Sequence, residues 1–105
     1  MLGTFIDGDI EWEVIKAERN IRLHEGVTFE EAAAALATDP HEYAVADATK
    51  PGRVVSLCMS PQARVLFVVT IEVTPAERTR IISARKADSH EQRTYAQERS
   101  RHARG

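Results

Sequence analysis

The side chains best suited to chemistry are arginines, and they flank one short segment of the chain. Residues 80–87 read Arg-Ile-Ile-Ser-Ala-Arg-Lys-Ala, with arginine on both sides of an apolar pair. A guanidinium group is always charged and grips phosphate through a planar fork of donors. Arginines on a strand and its exit therefore predict a site for an anionic ligand. Taken by itself, the octapeptide favours a solvated edge strand instead, because charged residues protect strand edges.

The distribution of charge along the chain strengthens the anion-site interpretation. The 105 residues carry a net charge of −2, but residues 1–52 hold four Lys/Arg against eleven Asp/Glu. Residues 53–105 hold ten Lys/Arg, nine of them arginine, against five Asp/Glu. Such a surface suits a phosphate backbone or an acidic protein partner. The overall acidic balance argues against a general nucleic-acid coat, so a localised site remains.

Composition excludes several other classes of protein. The single cysteine, Cys58, rules out an internal disulfide framework, and its alternation with apolar neighbours predicts a buried small hydrophobe. The histidines have no metal-ligand spacing, so we expect no metal and no cofactor. Neither a signal peptide nor a run of about 20 apolar residues is present. We therefore expect a cytoplasmic protein with no membrane partner.

Two helices are predicted near the N-terminus. The first spans Glu13–His24, with an apolar stripe formed by Val14, Ala17 and Ile21. The second opens with a capping box, Thr28 followed by Glu31, and ends before Pro40. Because the loop between them is short, we expect a helical hairpin.

Strand patterns follow. The predicted strands are residues 41–46, 53–59, 64–72 and 78–83, with a further short strand around residues 4–6. The run Val65–Val69 predicts a central strand buried on both faces. A second capping box, Ser89 with Gln92, opens a peripheral helix to Arg99. The sequence thus predicts an α+β domain over residues 1–98, with an N-terminal helical hairpin, an antiparallel sheet of three to four strands and a C-terminal helix. A basic tail, 99–105, follows.

Several segments, in order, resemble one known family, the BrnT toxins. These segments are Lys16–Asn20, Gly26–Ala32 with its sequence Gly-Val-Thr-Phe-Glu-Glu-Ala, Asp39-Pro40, Arg64–Val69, Arg80–Ala87 and Glu91–Tyr95. The resemblance implies a RelE-like fold and a metal-independent endoribonuclease acting on mRNA. It also implies inhibition by a BrnA-like antitoxin with a ribbon-helix-helix domain, through which the toxin reaches operator DNA and co-represses its operon.

The chain departs from the family pattern at a few positions. Glu25 separates His24 from Gly26, the connection Ser60–Ala63 lacks glycines, and Thr70 stands where a histidine often ends the central strand. These departures keep an alternative open, namely a catalytically inactive RelE-like module that retains the antitoxin-binding surface.

Cleavage of RNA by its own 2′-hydroxyl needs a positioned phosphate, stabilised negative charge and two proton transfers. Arginines perform the first two tasks and a carboxylate can act as the base. The predicted catalytic residues are Arg64, Glu72, Arg80 and Arg85, with Glu72 as the base. The predicted RNA-binding residues are Arg53, Arg78 and Lys86.

Overall fold

The computed structural model describes residues 3–104, with side chains through residue 101. In chain order its elements are β1 (Thr4–Asp7), β2 (Ile10–Glu13), α1 (Val14–Leu23), α2 (Phe29–Thr38), β3 (Tyr43–Ala46), β4 (Arg53–Met59), β5 (Val65–Val73), β6 (Arg78–Lys86) and α3 (Ser89–Arg104). The strands form one sheet in the order β1-β2-β6-β5-β4-β3. The pair β2–β6 is parallel and the other neighbours are antiparallel. No helix within the described residues is long and apolar enough to cross a membrane.

The predicted architecture is wrong in its N-terminal part and in its sheet. The chain opens with the β1–β2 hairpin rather than a helical hairpin, and the sheet is mixed with six strands rather than antiparallel with three to four. The missed strand, β2, is only four residues long. Its parallel pairing with β6 joins distant parts of the chain and involves two residue pairs, Ile10 with Thr79 and Glu11 with Arg80. The local sequence pattern does not predict a strand pairing between such distant residues.

The two faces of the sheet are covered unequally. The helix face is the face on which α2 packs, and its core is fully buried at Phe29, Leu66 and Ile81. The open face is the opposite one, where α3 covers only one end by packing Tyr95 against Leu57. Strand β5 accordingly alternates between buried and half-buried residues. The prediction that it is buried on both faces is therefore wrong.

Helix α1 seals the part of β6 that β2 does not reach. The side-chain amide of Asn20 donates to the carbonyl of Ala84 at 2.7 Å and accepts from the N–H of Ala84 at 3.1 Å. It also donates to the carbonyl of Val27 at 3.0 Å. A buried amide side chain thus replaces a strand partner and satisfies backbone groups that would otherwise be costly. Beyond Arg80, β6 has α1 rather than another strand beside it, and because this helix covers the edge, the prediction of a solvated edge strand for residues 80–87 is wrong.

The apolar stripe predicted for α1 does not face the core. Val14 is 36% exposed and Ile21 is 43% exposed, whereas Ala17 packs against the core. The buried side of the helix is set by Asn20, which is 4% exposed. Because a polar residue lies at the centre of the packed face, hydrophobic periodicity alone predicts the wrong buried side for α1.

The positions of the helix caps were predicted more accurately than the overall architecture. The hydroxyl of Thr28 accepts from the N–H of Glu31 at 3.0 Å, which confirms the cap of α2. The cap of α3 lies one residue earlier than predicted: Asp88 and Glu91 exchange hydrogen bonds between side chain and backbone at 2.8 and 2.9 Å. This helix continues to Arg104, past its predicted end at Arg99. Of the predicted tail, Gly105 and the side chains after residue 101 lie outside the described residues.

The prediction that Cys58 is buried is confirmed. Trp12 and Phe29 belong to the core beneath α2, and Cys58 is fully buried there as a free thiol. Burial raises the pKa of Cys58 to about 12. Tyr95 anchors α3, since only 3% of it is exposed.

Candidate functional site

A row of charged side chains crosses the open face where β2, β6, β5 and β4 meet. Arg53 lies opposite Ile71, Ile71 lies opposite Arg80, and Arg80 lies opposite Glu11. Residues directly opposite each other point to the same face of a sheet. Strands are spaced by about 4.8 Å, so the Cα atoms of Arg53 and Arg80 are roughly 10 Å apart. Arg78, opposite Val73, belongs to the same face.

Glu11 holds two of these arginines in place. Its Oε1 accepts from Nε of Arg78 at 2.9 Å, and its Oε2 accepts from Nε of Arg80 at 2.7 Å. Hydrogen bonds from Arg78 and then from Arg80 lower the pKa of Glu11 below its ordinary value. The carboxylate is buried, whereas the Arg78 and Arg80 side chains remain 30% and 28% exposed. Each guanidinium therefore keeps N–H donors for a further anion.

Two other charges border this cluster. The Glu13 carboxylate lies 3.7 Å from Nη1 of Arg80 and is 38% exposed. Arg53 takes part in no ion pair among the described residues. The cluster thus combines three arginines with one buried and one accessible carboxylate, and its net charge is positive.

Arg85 occupies the other end of the open face. It lies opposite Phe67, and its guanidinium sits 4.0 Å from the centroid of that ring. It also forms two 2.8 Å hydrogen bonds to the carboxylate of Glu91, which lowers the pKa of Glu91. This fork joins α3 to the sheet. Five residues of strand separate Arg85 from Arg80, or roughly 16 Å.

The remaining predicted catalytic residues lie on the helix face. Arg64 pairs with Glu31 of α2, with its Nε 2.7 Å from Oε2 of Glu31, and this ion pair lowers the pKa of Glu31. Glu72 accepts from the hydroxyl of Thr79 at 3.0 Å and lines a cavity of about 290 Å³ beside α2. Arg64 immediately precedes β5 and is eight positions from Glu72, which corresponds to roughly 26 Å along an extended strand. The structure thus brings Arg53, Arg78 and Arg80 together, and it does not bring Arg64, Glu72 and Arg80 together.

Lys86, predicted to bind RNA, lies at the end of β6 and is exposed. It borders a depression of about 250 Å³ together with Leu23, His24, Glu25 and Arg85. It therefore flanks α1 rather than the arginine cluster.

Sequence reasoning missed Glu11 and Glu13. Residues 10–13 read Ile-Glu-Trp-Glu, which alternates with period two. That pattern is typical of a strand and would place both carboxylates on one face. Four residues next to a turn were too few to establish it.

Comparison with known proteins identifies the family. A family model described as the ribonuclease toxin BrnT of type II toxin–antitoxin systems matches residues 12–91, which is most of the chain. The chain belongs to the BrnT family. A search of curated proteins finds no match. The matched segment runs from the second half of β2 to the first turn of α3, and it contains the three arginines of the cluster and Glu13 but not Glu11. Membership in the BrnT family makes this chain a toxin of a type II toxin–antitoxin system, and it implies an antitoxin partner and an RNA substrate.

Proposed function

We propose that this BrnT chain is a metal-independent endoribonuclease that cleaves mRNA on the open face of its sheet. The observation that carries the proposal is that Arg53 of β4 lies on the same open face as Arg78 and Arg80 of β6, although it precedes them by about 25 residues in sequence. Arginines spaced in this way suit successive or shared phosphates of an RNA strand.

Arg80 is the principal phosphate ligand in this proposal. Its side chain is fixed by Glu11, so that free donors meet the pentacoordinate phosphorus without reorganisation. Arg53 and Arg78 hold the flanking phosphates. Arg85 contributes from the other end of the face, where its stacking on Phe67 limits its movement.

Glu13 is the carboxylate that the geometry favours as the base. It is accessible and lies beside Arg80, whereas Glu72 lies on the opposite face. A carboxylate next to a bound phosphate can accept the proton of the attacking 2′-hydroxyl. The catalytic role of Arg64 stays a prediction from the resemblance, and that of Glu72 stays a prediction from its place at the end of the central strand. Neither side chain lies on the open face.

The proposed partner is a BrnA-like antitoxin with a ribbon-helix-helix domain. It would cover the arginine-rich half of the toxin with an acidic surface. An inhibitor that blocks RNA binding must bind where the positive electrostatic field of the toxin attracts RNA, and an acidic surface is complementary to that field. The toxin reaches operator DNA only through this partner and co-represses its own operon. Since ribbon-helix-helix proteins dimerise, the complex would hold an even number of toxin copies, most simply two copies of each chain.

The test of the proposal uses the purified chain and a defined RNA of about 20 nucleotides, with EDTA present. We expect cleavage, with products that end in 2′,3′-cyclic phosphate or in its hydrolysis product. A requirement for added magnesium or zinc, or products with 3′-hydroxyl ends, would contradict the mechanism. Growth arrest on induction of the chain, relieved by the partner, tests the toxin role in cells.

One observation favours the alternative of an inactive binding module. Arg78, Arg80 and Arg85 all have a carboxylate partner already, in Glu11 or Glu91. If the purified chain binds a partner and RNA but cleaves no RNA, those ion pairs define a structural role and the alternative is correct.

A further inference from the structure

A groove lined with cations runs between α1 and the outer side of β6. Two adjoining depressions of about 160 and 250 Å³ form it, and both are bordered by Leu23 and His24. The first is also lined by Lys16 and Arg19 of α1 and by Ser83, and the second by Arg85 and Lys86. The groove therefore carries four permanent cations, and Glu25 is the carboxylate that lines it.

The charge of the groove does not follow from the composition of the N-terminal half. Residues 1–52 are strongly acidic and contain four cationic side chains, of which two, Lys16 and Arg19, line the groove. These two are three residues apart on α1, so they project from the same side of the helix. The fold brings them to the cationic residues of β6, more than 60 positions away in sequence.

Three of the four groove cations are more available than Arg78 and Arg80 of the open face, whereas Arg85 is already paired with Glu91. Lys16, Arg19 and Lys86 take part in no ion pair among the described residues, unlike Arg78 and Arg80. All three are exposed. An incoming anion therefore displaces water rather than a carboxylate, which makes its binding less costly.

The groove is also continuous with the proposed RNA site. Ser83 lines it and follows Arg80 on β6, beyond the end of the β2 pairing. Arg85 contributes to both surfaces, since it stacks on Phe67 and borders the groove. Leu23, which is 65% exposed, offers apolar contact to a ribose or a base. A repeating anion with apolar parts between its charges fits this surface better than a single small anion.

We propose that this groove binds the phosphate backbone of single-stranded RNA next to the cleaved bond, with Lys16 and Arg19 as phosphate contacts. The inference rests on the proposed function, because it extends the RNA path from the open face onto α1. It adds two residues of the acidic half to the RNA-binding surface. Their contribution is electrostatic and independent of base sequence.

The test measures binding rather than cleavage, so that its result does not depend on catalysis. The probe is a 12-nucleotide 2′-O-methyl RNA, which cannot be cut by its own 2′-oxygen. Its Kd is measured against salt concentration for the wild type, the double variant Lys16→Ala/Arg19→Ala and the control Arg22→Ala. Arg22 lies on the same helix and is also exposed, but it lines neither depression of the groove.

We expect the double variant to bind on the order of tenfold more weakly at 0.1 M salt, with a salt slope smaller by about 1.4, because each phosphate contact on a single strand contributes about 0.7. The control should match the wild type within about twofold. Equal affinity and equal slope for the double variant and the wild type, with the circular dichroism spectrum unchanged, would overturn the inference. So would equal losses in the double variant and the Arg22→Ala control, since that result describes a general charge effect.

A further arm separates RNA from an acidic protein partner. A polyglutamate peptide of matched charge should bind the wild type more weakly than the RNA does. Tighter binding of the peptide, lost in the double variant, would assign the groove to a protein partner and overturn the RNA assignment. If the wild type binds the probe through the groove but cleaves no natural RNA, the groove assignment is correct and the proposed function is wrong. If the wild type cleaves RNA and the double variant binds the probe as well as the wild type does, the proposed function is correct and the groove assignment is wrong.

Discussion

Arg80 and Glu11 face each other across the parallel pairing of β2 and β6, with Nη2 of Arg80 2.6 Å and Nε 2.7 Å from Oε2 of Glu11. Glu11 is buried on a face that is otherwise partly open to solvent. The pair therefore orients a guanidinium whose remaining N–H groups point away from the carboxylate. In the proposed mechanism, this orientation makes Arg80 a preorganised ligand rather than a mobile surface charge.

Replacing Glu11 with glutamine should separate binding from catalysis. The variant removes the charge that neutralises Arg78 and Arg80, so affinity for a non-cleavable RNA should stay equal or become tighter. The single-turnover cleavage rate should fall by about tenfold or more, because the donors lose their fixed orientation. Glu18→Gln, an exposed change of equal charge on α1, is the control and should leave both quantities near the wild-type values. An undiminished cleavage rate in Glu11→Gln would show that orientation by this pair is not needed.

The hydroxyl group of Tyr95 should contribute to the stability of the fold in addition to the packing of its ring. This group donates to Oδ2 of Asp39 at 2.8 Å, which ties α3 to the loop after α2. Burial, together with the neighbouring Asp39 carboxylate, raises the pKa of Tyr95 to about 12. Tyr95→Phe should lower the free energy of unfolding by about 1.5–3 kcal/mol, as expected for a hydrogen bond to a charged group. Urea unfolding measures this, with Tyr43→Phe as the control, since the Tyr43 hydroxyl has no hydrogen bond within the described chain. Equal losses in the two variants would contradict the role given to the Tyr95 hydroxyl.

Stability should decline in acid because several carboxylates have lowered pKa values in the folded state. Burial by itself would raise the pKa of Asp39, but hydrogen bonds from Met59 N–H, His41 N–H and the Tyr95 hydroxyl outweigh it and hold the pKa below its ordinary value of 3.8. The pKa values of Glu31 and Glu91 are lowered by their arginine partners. With lower pKa values in the folded state, the unfolded chain binds more protons as the pH falls.

The resulting stability is present above the ordinary pKa values, near pH 4–5, and is lost as the pH falls through the folded-state values. Urea unfolding at pH 7, 5 and 3 should show similar stability at the first two values and a marked loss at pH 3. Asp39→Asn should be less stable than the wild type at pH 7 and should lose less between pH 5 and pH 3. A wild-type stability that is flat down to pH 3 would contradict these ion pairs and hydrogen bonds.

In the connection between β4 and β5, replacing Ala63 with glycine should stabilise the fold. Ala63 has a φ of 62°, in the left-handed region that disfavours side chains. Ala63→Gly should raise the free energy of unfolding by about 0.5–1 kcal/mol, since the relief of strain exceeds the added entropy of the unfolded chain. Ala37→Gly, at an exposed position of α2, should instead destabilise by about 1 kcal/mol. A loss of stability in Ala63→Gly would show that the turn tolerates alanine without strain.

Features that depend on residues close together in sequence were predicted correctly, and features that depend on residues far apart in sequence were not. Local signals, such as the Thr28 cap and the burial of Cys58, were read correctly because neighbouring residues determine them. Strand β1 was predicted, but β2 was missed, and with it the hairpin and the six-stranded sheet, because β2 is only four residues long and its partner β6 lies almost 70 residues later. The buried side of α1 was predicted wrongly because it is set by a polar residue, Asn20. The Asn20 side chain is buried to bond the N–H and the carbonyl of Ala84, and the spacing of apolar residues does not reveal such hydrogen bonds.

The candidate site shows the same division. The family resemblance pointed to residues 80–87 without any knowledge of the face to which each side chain points. Assigning faces needs the register of β6, and a bulge next to Val69 and Thr70 shifts that register. Only the assembled sheet shows that Arg80 shares a face with Arg53 and Glu11, while Glu72 lies on the other one.

The measurement that tests the account most directly is the single-turnover cleavage rate of one defined RNA by the wild type, Arg80→Lys and Arg80→Ala, with EDTA present and folding checked by circular dichroism. Arg80→Ala should be slower by about a hundredfold, the typical effect of losing one donor to transition-state charge. Arg80→Lys should recover only part of the rate, because it restores the charge but not the fork that Glu11 orients. A folded Arg80→Ala variant that cuts at the wild-type rate would contradict the placement of the active site on the open face.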